Sequence, residues 1–268
     1  MPVLAFELPP ATSGADQKVV TQPSRSGHLT MGYPRLSPFG PQAMAAVAEI
    51  YADLAHSATF DGLLFHDDVT LSDYEDASPA ALKQYRAWGL PTDLAAIRAS
   101  DALLGAWTNR KTAALEALTL QLAQVVRANQ PQLRTARNLY AQVVLIPHAE
   151  AWYSQSIDDA IRDYDFTAVM AMPWMERASN PDQFLKELVA RVKERPQGLQ
   201  RVLFELQSTD WNSHHDLSSQ QLAQELQTLY RLGVRHTGYY PDNLHRGTPD
   251  PDVLRPVFQA HSSIPTQP

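Results

Sequence analysis

The chain has 268 residues, 44% of them hydrophobic, which is enough for a sizeable core, and it has no cysteine, which excludes disulfides and thiolate metal sites. Its formal net charge of −7, with acids spread along the whole length, excludes nucleic acid as a partner and suits a neutral or cationic ligand. No apolar run approaches the roughly 20 residues of a membrane span, and the N-terminus lacks the charged and apolar regions of a secretory signal.

In chain order, "MPVLAFEL" reads as a buried strand, and Pro9–Pro34, rich in Pro, Ser, Thr and Gly, as a long surface loop of the kind that carries function. Met44, Val47, Ile50, Tyr51 and Leu54 then share one helical face, with Pro41 in the first turn. "GLLFH" reads as a strand; Ser78, Pro79 and Gly89 cap, open and stop the next helix. Leu115, Leu118, Leu122, Val125 and Val126 form a long stripe, followed by the apolar runs "NLYAQVVLI" and "FTAVMAM". Asn180 and Pro181 open a helix bearing Phe184, Leu185, Leu188 and Val192. "RVLFELQ", a helix along Leu222, Leu226, Leu229 and Leu232 stopped by Gly233, and "HTGYYP" complete the pattern, and residues 261–268 read as a disordered tail.

Continuous apolar strands alternating with amphipathic helices specify an α/β class with a parallel sheet covered by helices. No composition shift marks a boundary, so residues 1–260 read as one (β/α)8 barrel of the TIM type. Six apolar runs are present where a closed barrel needs eight strands, which places the first two strands before Met1.

Chemistry collects at the carboxyl ends of these runs, where barrel enzymes place their sites. "GLLF" leads to His66, Asp67 and Asp68; "VVLIP" to His148, Glu150 and Trp152; "VMAMP" to Trp174 and Glu176. "RVLFE" supplies Glu205, followed by Gln207, Asp210 and Trp211, and "TGYYPD" supplies Tyr239, Tyr240 and Asp242. Carboxylates beside aromatic faces are what carbohydrate cleavage requires: one carboxyl protonates the leaving oxygen, and a second group handles the oxocarbenium-like centre. Successive residues of an extended strand point to opposite sides, so one of Asp67 and Asp68 is expected to face the cleft. A neighbouring carboxylate and partial burial both disfavour ionisation, as a general acid near neutral pH needs.

Each feature has an ordinary reading too. One aspartate of the pair can cap a turn while the other is solvated, and Trp152, Trp174 and Trp211 can be packing residues. Asp73, Glu75 and Asp76 precede the helix at Ser78, where the dipole favours acids. His66 with Asp67 and Asp68, or His148 with Glu150, can be drawn as metal ligands, yet no strong ligand spacing is present. Phosphate-loop, nucleophile-elbow and dinucleotide fingerprints are absent as well, so the expectation is no metal and no cofactor.

The stretches "MPVLAFEL", "YPRLSPFGP", "GLLFHDDVTLSDYEDASP", "RNLYAQVVL" and "YDFTAVMAMPWME" resemble the C-terminal domain of PgaB-type poly-β-1,6-N-acetylglucosamine deacetylases, some of which are called BpsB. The resemblance runs over nearly the whole chain. It implies a glycoside hydrolase barrel that binds and cleaves partially deacetylated poly-β-1,6-N-acetylglucosamine, a biofilm exopolysaccharide, during export through the periplasm. It further implies, in full-length relatives, association with the outer membrane and its export machinery and a metal-dependent deacetylase domain upstream. That domain's metal and chemistry are not assigned to these residues. Carried over residue by residue, the resemblance implies Asp67 as the catalytic acid with Asp68 beside it, and Tyr33, Trp152 and Trp211 as aromatic ligands. His66, Glu150, Glu205, Tyr239 and Asp242 complete the substrate-binding candidates, Glu150, Glu205 and Asp242 being either a second carboxylate or contacts for the amines of deacetylated sugars. The alternative reading is a non-catalytic module that guides the polymer during deacetylation and export; a third is an α/β enzyme with an unrelated substrate.

Overall fold

The computed structural model describes residues 35–262, so the expected strand at residues 1–8, the loop up to Pro34 and Tyr33 lie outside the described residues. The described residues divide into two compact units: residues 35–135 together with His148–Ser156, and Ala136–Pro147 together with residues 157–262. The first unit contains α1 (Pro41–Ser57), β1 (Gly62–Phe65), α2 (Pro79–Ala87), α3 (Leu94–Arg98) and α4 (Asp101–Arg127). Strand β2 (Arg134–Tyr140) starts in the first unit and continues into the second, where α5 (Ala141–Leu145) follows, and α6 (Glu150–Tyr153) belongs to the first unit again. The rest of the second unit comprises α7 (Ile157–Asp163), β3 (Phe166–Met170), α8 (Pro181–Lys193), α9 (Gly198–Arg201) and β4 (Val202–Gln207), then β5 (Thr209–Asp210), β6 (His215–Asp216), α10 (Ser219–Arg231), β7 (His236–Tyr240) and α11 (Pro251–Ser262).

In the first unit, helix starts follow local chemistry. The Ser78 hydroxyl accepts the Ala81 N–H at 3.2 Å, Asp93 accepts the Ala95 N–H at 2.9 Å, and Ser100 accepts the Leu103 N–H at 3.4 Å. Helices α2, α3 and α4 meet over a cluster of Ala81, Tyr85, Leu94, Ile97 and Trp107, all essentially inaccessible. The Tyr85 and Trp107 rings pack edge to face at 5.6 Å. Strand β1 lies against the start of β2: the Arg134 N–H donates to Asp61 O at 3.0 Å, and a Cβ on Gly62 would sit 2.9 Å from Arg134 O, an approach only glycine permits.

In the second unit, β2, β3, β4 and β7 pair in that order and run parallel, with Tyr140 opposite Met170, Met170 opposite Glu205, and Glu205 opposite Gly238. Central β3 buries Thr167 through Met170, as a strand covered on both faces must. Leu185, Leu188, Val189 and Val192 of α8 and Leu222, Leu226 and Leu229 of α10 supply the covering apolar faces. Asn180 and Ser218 cap those helices, accepting from Gln183 and Gln221.

Three details depart from the sequence reading. The strand expected through Ile146 ends at Tyr140, and Ala141–Leu145 forms a helical turn closed by Ile146 N–H to Gln142 O at 2.8 Å. A short apolar run does not distinguish a buried strand from a buried helical turn, and the true strand starts earlier, on the polar-looking "RTAR". The antiparallel β5–β6 pair, two residues per strand, carries too little pattern to be read. Helix α11 continues through His261 to Ser262, so those two residues are helical and not part of a disordered tail; residues 263–268 lie outside the described residues.

Candidate functional site

Strand β1 ends at Phe65, and a turn follows at once: Val69 N–H donates to His66 O at 3.4 Å and Thr70 N–H to Asp68 O at 2.9 Å. Because the extended backbone has stopped, Asp67 and Asp68 are released from pointing to opposite sides. Both reach the same ring. His66 Nδ1 lies 2.5 Å from Asp67 Oδ1 and 3.5 Å from Asp68 Oδ2. Asp67 is buried, at 6% exposure, whereas the Asp68 side chain is 42% exposed.

The contact with Asp67, then that with Asp68, pushes the His66 imidazole from its ordinary 6.5 up to about 10, against the opposing effect of burial. At neutral pH the ring is therefore an imidazolium. The pair expected to repel as like charges is bridged by a cation from the adjacent residue. Ligand atoms of His66, Asp67 and Asp68 lie within 4.8 Å of one another, so distance alone would let them hold a metal ion. A ligating imidazole must be neutral, so a metal ion taken up by this trio would have to displace the proton that the two carboxylates favour on His66.

The turn is gripped by the segment carrying α6. Leu71 N–H donates to Tyr153 O at 3.2 Å, the Thr70 hydroxyl donates to the same oxygen, and the Ser154 hydroxyl donates to Leu71 O at 2.7 Å. The buried Gln155 side chain adds a long 3.5 Å contact to Asp67 O. Glu150, half-buried, and Trp152, 42% exposed, ride on this same segment. They arrive there from a helical turn, not from the end of a strand as the sequence implied.

The acids downstream are occupied structurally. Asp73 accepts from Arg98 at 3.2 Å and Glu75 from Arg35 at 2.6 Å. Asp76, fully buried, accepts from the Ser37 hydroxyl at 2.6 Å and from the Ser78 N–H at 2.8 Å. They order a loop, which goes beyond a dipole preference before α2.

The second unit has its own collection of polar and aromatic groups after β3, β4 and β7. Glu205 accepts from Asn138 Nδ2 at 2.9 Å. Trp211 and Tyr240 face each other at 5.9 Å with a 34° tilt, and Tyr239 lies 6.4 Å from Phe258. Burial, and secondarily Asp242, pushes the Tyr239 phenol up; Asp242 itself is exposed. The loop after β3 is tied down by Gln207 to Met175 N–H at 2.8 Å, Asn212 to Trp174 O at 3.0 Å, Gln142 to Glu176 at 2.7 Å, and the Trp174 indole to Glu225 at 3.1 Å. Burial pushes the carboxyls of Glu176 and Glu225 up. The amides Asn138, Gln142 and Gln155 and the acid Glu225 are not singled out by the sequence. Their one signal is a polar residue inside or at the edge of an apolar run, which becomes informative only when its partner is known.

Residues 1–240 match the family model described as hypothetical glycosyl hydrolase family 13. The chain is 40% identical over 264 residues to the poly-beta-1,6-N-acetyl-D-glucosamine N-deacetylases of Escherichia coli strain K12 and of Escherichia coli O157:H7, covering 96% of this chain. It spans 39% of the length of these relatives. Among solved structures, the PgaB (BpsB) glycoside hydrolase domain from Bordetella bronchiseptica superposes with a TM-score of 0.88 at 45% identity, covering 96% of this chain and 73% of that one. With the parallel strands and intervening helices, this match establishes the fold class as α/β of the TIM-barrel type.

Proposed function

We propose, from the premise that the chain belongs to hypothetical glycosyl hydrolase family 13, that it binds and hydrolyses partially deacetylated poly-β-1,6-N-acetyl-D-glucosamine as an endo-glycosidase. The observation that carries this reading is the buried Asp67 carboxyl, 2.5 Å from the His66 ring in the turn after β1. A contact that short lets one proton be shared between imidazole and carboxyl. Asp67 delivers it to the leaving glycosidic oxygen, and the neutral His66 that remains is ready to take up the next proton. Asp68, on the exposed side of the same ring, positions it.

Glu150, on the segment bonded to this turn, is the second carboxylate we assign in the first unit, with Trp152 as a platform for a sugar face. On the second unit Glu205 and Asp242 would meet amines of deacetylated sugars, and Trp211 and Tyr239 would meet ring faces. The formal charge of −7 suits such a cationic polymer. The names of the relatives support the polymer as substrate and a deacetylase domain as companion. Periplasmic action beside outer-membrane export machinery belongs to the same reading. Among the described residues no helix is long and apolar enough to cross a membrane.

The test is mass spectrometry of the products formed from partially deacetylated β-1,6-glucosamine polymer by the wild type and by Asp67→Asn. Short oligomers from the wild type, with turnover lowered about 10²–10⁴-fold in the variant, are expected for a lost general acid. Intact polymer from both, with binding retained, would replace hydrolysis by the guiding-module reading, for which the exposed Trp152 is the supporting feature.

A further inference from the structure

Lys111 is the least ordinary residue of helix α4. It has no exposed surface, and its ammonium group donates to Ser72 O at 2.6 Å and to Glu75 O at 2.8 Å while lying 3.6 Å from the centre of the Trp107 ring. Methionine would fill the same slot without the cost of desolvating a charge. What lysine adds is three hydrogens, and two of them are placed on one short loop.

That loop continues the Asp67–Asp68 turn. Its near end is held by Tyr153 and Ser154 through Thr70 and Leu71, and its far end folds on itself through Glu75 Oε2, which accepts the Ser72 N–H at 3.0 Å. Between these anchors the carbonyls of Ser72 and Glu75 both accept from Lys111, and Ser72 O also accepts the Glu75 N–H at 3.1 Å. We propose that Lys111 is a positioning residue for the catalytic turn: from inside α4 it holds the Ser72–Glu75 loop in the single conformation that keeps Asp67 and Asp68 in register with His66. The kinetic part rests on the glycosidase reading; the structural part does not.

The groups facing the ammonium are Asp73, Glu75 and Asp76 from the loop, two of them already paired with Arg98 and Arg35, together with Trp107 of its own helix. Burial outweighs the three acids and brings Lys111 down to about 7. The neutral amine keeps two hydrogens for the two carbonyls but loses the attraction to the Trp107 face, so the hold weakens as pH rises through neutrality.

The experiment compares amide hydrogen exchange of the full chain in the wild type and Lys111→Met, alongside kcat and KM on partially deacetylated β-1,6-glucosamine polymer, with Lys111→Arg as the conservative variant. Exchange in residues 66–75 should rise about tenfold in Lys111→Met while α4 stays protected. The kcat should fall by about 10²-fold with KM nearly unchanged, and Lys111→Arg should recover much of it. Unchanged loop exchange, or a loosened loop with wild-type kcat, would overturn the proposal. A wild type that cleaves nothing would count against the hydrolase reading alone, with exchange still deciding the role of Lys111. If Lys111→Met does not fold, Lys111→Gln, a shorter neutral donor, takes its place: raised exchange in residues 66–75 with α4 still protected supports the hold, and unchanged loop exchange removes it.

Discussion

Nδ1 of His66 lies 2.5 Å from Oδ1 of the buried Asp67, and the same nitrogen is 3.5 Å from Oδ2 of Asp68. The histidine therefore titrates at about 10 in the folded chain against an ordinary 6.5. Its folded pKa is raised, so the stabilisation it contributes is complete below about pH 6.5 and disappears as pH rises through about 10. Urea unfolding of the wild type and His66→Asn across this window should show the advantage of the wild type shrinking steadily toward the alkaline end.

Asp76 makes the opposite kind of contribution, through packing of charge and not through chemistry. It has no exposed surface and accepts from Ser37, from the Ser78 N–H and from the Ser78 hydroxyl at 2.6, 2.8 and 2.9 Å. Asp76→Ala would leave those donors buried without an acceptor, and the expected loss is about 3 kcal/mol of unfolding free energy. Denaturant titration with an unchanged m-value is the check.

Glu225 sits buried in the second unit beneath the Trp174 indole, with burial raising its carboxyl above the ordinary 4.5. Such a group stabilises the fold fully below its unfolded pKa and loses that contribution as pH climbs through its folded value. Glu225→Gln preserves the shape and an acceptor for Trp174. The variant should therefore gain on the wild type between acidic and neutral pH, measured as the difference of their urea midpoints.

Trp152 is 42% exposed on the segment that grips the turn. Trp152→Ala should leave the melting temperature within the small range of ordinary surface changes. Affinity for β-1,6-glucosamine oligomers should fall by roughly 1 kcal/mol, the scale of one aromatic face contact. Calorimetric titration beside a thermal melt separates the two effects, and a lowered melting temperature with unchanged affinity would make Trp152 a packing residue.

Local chemistry was legible where it acts over a few residues. The caps at Ser78 and Asn180, the stops at Gly89 and Gly233 with positive φ, and the stripes of α8 and α10 were all readable, because capping and helical periodicity depend only on near neighbours. The strand after Pro131 was misplaced for the same reason. "AQVVLI" has the apolar content of a strand, yet only its neighbours in space decide that Ala141–Leu145 coils.

Apolar runs alternating with helical stripes are enough to specify the class, parallel strands alternating with helices, and to single out His66, Asp67 and Asp68 at the end of "GLLF". The sequence by itself could not assign their electrostatics. Whether adjacent acids repel or share a cation depends on where the chain turns, and the turn after Phe65, braced by Tyr153 and Ser154 from more than eighty residues away in sequence, brings both carboxylates onto one imidazole. Tertiary structure alone likewise decided that Asp73, Glu75 and Asp76 brace a loop and that Lys111 stands beneath it. Burial and partner identity set the energy of a charged group, and both are properties of the folded chain.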